Sequence, residues 1–317
     1  MPEWTRIQPD IQIFPGKNKS VLRLFRQSQH DGDVRVVSPA TIRQVQNTAV
    51  FCVADAIKKT RNCLVALTGS PESLMAMDKY LARINSKANS KNLKTWLDKL
   101  IFNSRFPGLK SKKKRSLLHR FFGEKSADIL RTMDDGVGGT RRKFSYGMVF
   151  RNCLMSTIIG INLQLQSLVL GLSDYGDYGD SITNWGQWKA GVAAPGLDLS
   201  RANFATIFQK GLNAIGEGFL RCNVRYLLHG ENISEFMYVP GMVLRNSDFF
   251  VLTFLHESCH LFTGVGDNYY FENPWDNNGI TCGEDNPDMQ FGAKRKPKTE
   301  RCVVNADSYA WFIYLLG

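Results

Sequence analysis

The chain has 317 residues and carries 40 Lys+Arg against 29 Asp+Glu, a formal net charge of +11. With 43% hydrophobic and 22% charged residues it has the make-up of a globular protein, which excludes a disordered chain. The opening MPEWTRIQPD has no basic segment leading into an apolar run, so no Sec-type signal is expected there.

Residues 1–37 read as an irregular N-terminal segment or short strands, with turns at Pro15-Gly16 and Asp31-Gly32-Asp33. Ser38-Pro39 is a helix start, with Ser as N-cap and Pro in the first turn. From there Ile42, Val45, Ala49, Cys52, Val53, Ala56 and Ile57 recur at helical spacing until Gly69. Ser70-Pro71 opens a second helix to about Asn85. Further helices are predicted over about Lys91–Phe102 and Leu117–Met133.

Between Lys87 and Arg120 stand eleven basic residues and one acid, Asp98. Its KSKKKR run (110–115) follows Pro107-Gly108 and reads as an exposed loop. This segment is a solvated basic face or a docking patch for an anionic partner. Few aromatics are interleaved, which argues against a single-stranded nucleic-acid platform. The last 67 residues, from Val251, hold nine acids and five bases. The charge is therefore polarised along the chain.

After Lys143 the pattern turns strand-like, with candidate strands at 143–150, 157–170, 219–228 and 235–239 and a helix at 200–215. The most apolar long stretch, 153–172, alternates over Ile161-Asn162-Leu163-Gln164-Leu165-Gln166. That is the period of a half-buried strand and not of a membrane helix. Helices followed by a small sheet and further helices make an α+β pattern. The glycine-rich turn at 136–139 and the polar DYGDYGD loop at 174–180 lack the context of a phosphate or calcium loop. Seven cysteines leave an odd thiol, and Cys282 and Cys302 flank one loop and could pair.

The chemistry concentrates in Leu255-His256-Glu257-Ser258-Cys259-His260, an HExxH motif. Histidines at i and i+4 on a helix face one way, so both imidazoles can hold one metal ion, expected to be zinc at one per chain. Glu257 projects beside them and can take a proton from a water on the metal. Ser247 can act as N-cap of this helix, and Phe249, Phe250, Val251, Leu252, Phe254, Leu255, Leu261 and Phe262 make it apolar nearly all round, as in a core. Cys259, inside the motif, reads as core filling. A catalytic zinc takes three protein ligands. No histidine follows His260, so the third is a carboxylate or one of His30, His119 and His229. Among the downstream acids, Asp267 lies beyond Gly264 and Gly266, which permit a sharp turn back to the helix end.

Three segments then resemble the deuterolysin and lysine-specific metallo-endopeptidase family, the aspzincins, over about Thr41 to the C-terminus. HExxH is followed by Gly264-Val265-Gly266-Asp267-Asn268-Tyr269-Tyr270, similar to their GTxDxxYG segment, with Gly266 in place of the Thr and Phe271 in place of the last Gly. Val304-Asn305-Ala306-Asp307-Ser308-Tyr309-Ala310-Trp311-Phe312 looks like their NADSYxxF segment, and Phe121-Phe122-Gly123 like an aromatic-Phe-Gly after the early helices. The resemblance implies a zincin-like metallopeptidase domain over 38–317, with a helical part at 38–135 and a sheet and zinc-site part at 140–317. It implies His256, His260 and Asp267 as zinc ligands, Glu257 as general base and then proton donor, and Tyr270 as hydrogen-bond donor to the oxyanion. Asp307 is implied behind a ligand histidine, fixing its tautomer; its alternative is a cap of the last helix.

The expected activity is a zinc endopeptidase acting on protein or peptide substrates. The acidic catalytic end favours a cationic side chain beside the scissile bond. The competing reading is a catalytically degenerate zinc module that docks to an acidic partner through its basic half. Two locations fit the missing Sec signal, the cytoplasm or export as an effector toxin by a dedicated machine.

Overall fold

The computed structural model describes residues 4–6, 11–14, 21–27, 39–86, 104–133, 145–162, 168–173, 191–192, 237–240, 247–271, 282–283 and 297–317. Three strands come first: β1 (Trp4–Arg6), β2 (Ile11–Gln12) and β3 (Val21–Gln27). Helices follow: α1 (Pro39–Thr68), α2 (Glu72–Ser86), a 3-10 turn (Pro107–Lys110), α3 (Lys112–Phe122), α4 (Ser126–Thr132) and α5 (Tyr146–Asn162). Then come β4 (Leu168–Ser173), β5 (Gly191–Val192), β6 (Met237–Pro240), α6 (Ser247–Thr263), β7 (Tyr270–Phe271), β8 (Cys282–Gly283), α7 (Thr299–Cys302) and α8 (Ala306–Leu316). Helix predominates and the sheet is small, an α+β-like arrangement.

The sheet draws on both sides of the helical region. β3 pairs parallel with β4, and β4 parallel with β6, while β1, β2 and β5 add antiparallel. Residues before the first helix thus supply strands to the same sheet as residues 168–240, so the order is strands, helices, strands. The expected sequence of a helical half followed by a sheet is corrected in that respect.

Helices α1 and α2 lie close to their expected bounds. Gly69 takes φ +76, the left-handed conformation that ends α1, and its N–H closes on Val65 O at 2.8 Å. Arg61 on α1 meets both carboxylate oxygens of Asp78 on α2 at 2.9 and 2.8 Å. This half-buried fork pins the hairpin, with a contribution of up to ~1 kcal/mol.

Three further expectations change. The single helix over Leu117–Met133 is two, broken at Gly123, which adopts φ +79 and whose missing Cβ leaves room for the Pro297 carbonyl. The KSKKKR run is no loop: Lys112 to Arg115 form the first turn of α3, and Lys114 donates back to Ala66 O on α1. The candidate strands at 143–150 and 157–170 give way to α5, which is buried from Gly147 to Ile161. Strand β4 begins only at Leu168. The strand expected at 235–239 is present as β6. The helices placed at 91–102 and 200–215, the strand at 219–228, the loops at 136–139 and 174–180, and the side chain of Cys282 lie outside the described residues.

Helix α6 is the centre of the packing, touching α1, α5, α8 and β6. Its approach to α5 is close because Gly160 has no side chain; the Phe262 ring occupies the space a Cβ would fill. Behind it, Phe122 meets Phe150, Tyr309 and Phe312 with ring centroids 4.9, 5.1 and 5.7 Å apart. Such edge-to-face contacts add to the burial of large rings. Phe122 is completely buried. Phe122→Ala is expected to lower the unfolding free energy by about 3–5 kcal/mol, read as a shift of the urea midpoint at unchanged slope.

Candidate metal centre

The site is built from α6, the turn after it and the start of α8. α6 ends where Gly264 takes φ +69 and its N–H reaches His260 O at 2.9 Å. The chain then doubles back. Gly266 N–H donates to Val304 O at 3.2 Å, and Ala306 N–H donates to Gly266 O at 3.0 Å. These two bonds set the 264–271 turn beside the segment leading into α8, and Asp267 falls next to the two histidines.

Nε2 of His256 and Nε2 of His260 stand 3.0 Å apart, and each is 3.1 Å from Asp267 Oδ1. Three ligand atoms thus form a near-equilateral triangle. Ligands 2.0–2.1 Å from a tetrahedral ion stand about 3.3 Å apart, so the triangle needs only a slight opening to receive one. The donor set also asks for a cation. His260 Nδ1 donates to Val265 O at 2.6 Å, since a carbonyl can only accept. His256 Nδ1 faces Asp307 Oδ1 at 3.1 Å. With both rings protonated on Nδ1, each neutral imidazole turns its Nε2 lone pair toward the carboxylate. Asp267 Oδ1 is itself buried and accepts no well-aligned hydrogen bond. Three lone-pair atoms converging in a buried place are unfavourable without a positive charge between them.

Without an ion, protons take that part. Burial disfavours the imidazolium of His256, but the carboxylates of Asp267 and Asp307 outweigh it and push its pKa well above the ordinary value. His260 moves the same way, burial again being overcome by Asp267. Burial opposes ionisation of Asp267, yet the two histidines hold its carboxyl far below the usual range.

Glu257 is buried, and that burial raises its carboxyl pKa against the pull of His256 and His260. A buried carboxylate with a raised pKa beside a cation site is suited to receive and return a proton. The Tyr270 ring lies nearly parallel to His256, with centroids 6.0 Å apart and planes 16° apart. Cys259 points the other way, into the core, where Thr157 Oγ1 lies 3.6 Å from its sulfur and burial raises its thiol pKa.

The bonds of the Asp307 carboxylate reach outside its own helix. Oδ1 holds His256, while Oδ2 accepts from Phe271 N–H at 2.7 Å. Asp307→Ala is expected to weaken zinc binding by about 10–100-fold, measured by competition with a chromogenic chelator, because His256 loses its orienting partner.

Among the described residues, His256, His260 and Asp267 are the group that could hold a metal ion. His119 is exposed on α3, with Nδ1 3.4 Å from Ser126 Oγ. His30 and His229, and the acids between Glu272 and Asp288, lie outside the described residues. Sequence reasoning gave Asn305 no role of its own. Its Oδ1 accepts from Asn268 N–H at 2.7 Å and Tyr269 N–H at 2.9 Å, and its Nδ2 donates to Tyr269 O at 3.0 Å. The available signal was its place in the NADSY segment. Lys110, Lys112, Lys113 and Arg115 are exposed around the start of α3.

No helix of the described residues is long and apolar enough to cross a membrane. The class of site is a candidate His–His–Asp metal centre on a buried helix. Compared with models of known protein families, with curated proteins and with solved structures, the chain matches none.

Proposed function

We propose that the protein is a zinc-dependent endopeptidase of zincin-like fold, a diverged relative of the aspzincins. The observation that carries this reading is the triangle of His256 Nε2, His260 Nε2 and Asp267 Oδ1 with Glu257 buried next to it in the chain. Two histidines and a carboxylate are one of the three-ligand sets that catalytic zinc uses, with one position left open. When bound, zinc acidifies a water and polarises a carbonyl oxygen. The protein's own part is distributed as follows. His256 and His260 stay neutral at Nε2 because their Nδ1–H groups donate to Asp307 and Val265 O. Glu257 takes the proton of the attacking water and delivers it to the leaving amine. Tyr270, whose ring lies beside that of His256, would supply a hydroxyl donor to the substrate oxygen.

The nine acids against five bases from Val251 onward support a preference for a cationic side chain next to the scissile bond. The exposed lysines at the start of α3 support contact with an anionic partner, separate from catalysis. Metal analysis of purified protein tests the core of the reading. It expects zinc near one per chain and cleavage of peptides; a protein that takes up no zinc under saturating conditions refutes it.

A further inference from the structure

The turn carrying Asp267 has little internal structure to hold it. It is entered through Gly264 in the left-handed conformation and passes through Gly266. The hydrogen bonds on either side of Asp267 come from one place, residues 301–306. Before it, Gly266 is tied through both its N–H and its C=O to Val304 and Ala306. After it, the amides of Asn268 and Tyr269 both donate to Asn305 Oδ1. The Asn305 amide then donates to Tyr269 O and, at 3.0 Å, to Ser308 Oγ. Asn268 Nδ2 adds bonds to Arg301 O and Val304 O at 3.3 and 3.2 Å.

Asn305 is completely buried and precedes the first residue of α8, yet its side chain makes no cap to its own helix. An Asn at that position ordinarily turns its oxygen to its own helix amides. Here the oxygen is spent on two amides of a different segment, more than thirty residues away.

We infer that Asn305 is a positioning residue that sets the third metal ligand. It rests on the metal reading above. By holding the two amides just after Asp267, it fixes where that carboxylate stands relative to His256 and His260. Two residues further on, Asp307 holds His256, so one short segment aligns ligands from both sides of the triangle. Side chains behind the ligands are worth about 10–100-fold in metal affinity.

The test is a double-mutant cycle in the full chain, read by zinc affinity in chelator competition and by the visible absorption of the cobalt-loaded protein. Asn305→Ala is expected to weaken zinc by about 10–100-fold and to lower the cobalt band intensity. In an Asp267→Asn background, where the ligand is already impaired, the same change is expected to cost less than about 2-fold, because its effect runs through Asp267. Asn305→Ser, which keeps one acceptor oxygen, is expected to fall between, and it carries the test if the alanine variant does not fold. Wild-type affinity in Asn305→Ala overturns the inference, as does an equal loss in both backgrounds, or failure of both variants to fold without metal. If the wild-type chain binds no zinc, the metal reading itself falls, a result distinct from wild-type binding that Asn305→Ala leaves unchanged.

Discussion

Glu257→Gln is expected to keep zinc at one per chain and to lose peptide hydrolysis by about 10²–10⁴-fold, the usual contribution of a positioned acid–base group. The substitution preserves shape and removes only the ability to accept a proton. Glu257 is buried and contributes no atom to the His256–His260–Asp267 triangle, so metal uptake should be untouched. The separation of the two readouts is the substance of the expectation. Full activity in the glutamine variant would remove Glu257 from the chemistry, and loss of zinc would make it a ligand. In the metal-free protein burial raises the Glu257 carboxyl pKa, and a bound cation would pull it back down.

Zinc affinity should climb steeply with pH, by up to about 100-fold per pH unit where two protons leave for each ion bound. In the metal-free protein, the histidines have folded pKa values raised above their unfolded value of about 6.5. Their contribution to stability is therefore complete below about 6.5 and is lost as pH rises through the raised values. Asp267 has the opposite sign: its depressed pKa contributes above about 3.9 and is lost as pH falls. The metal-free protein should be most stable at mildly acidic pH, and the zinc-bound protein should gain on it as pH rises. Thermal unfolding with and without zinc at several pH values measures both limbs. An affinity independent of pH would show that the ion does not displace protons from these histidines.

Much of the site was legible in the sequence, because it rests on short-range geometry. Histidines four apart on a helix face one way wherever that helix lies, and glycines on both sides of 265 announce a reversal. The end of the first helix was legible for the same reason: Gly69 acts through local conformation. Helix α5 was not. Buried on all sides, it shows no 3.6-residue period, and its Thr157-Ile158-Ile159 run favours a strand locally. Packing against α6, with Gly160 under Phe262, overrides that preference. The break at Gly123 was hidden because the reason for it, the Pro297 carbonyl, is far along the chain. The work of Asn305 was hidden in the same way, since its partners 268 and 269 are brought near only by the fold.

The dependence of Asp267 on residues 304–307 also orders events during synthesis. The two histidines emerge from the ribosome together, on one helix. Their third companion remains unplaced until some forty further residues have followed and α8 has docked. A chain in which residues 304–316 have not yet docked therefore carries an incomplete metal centre.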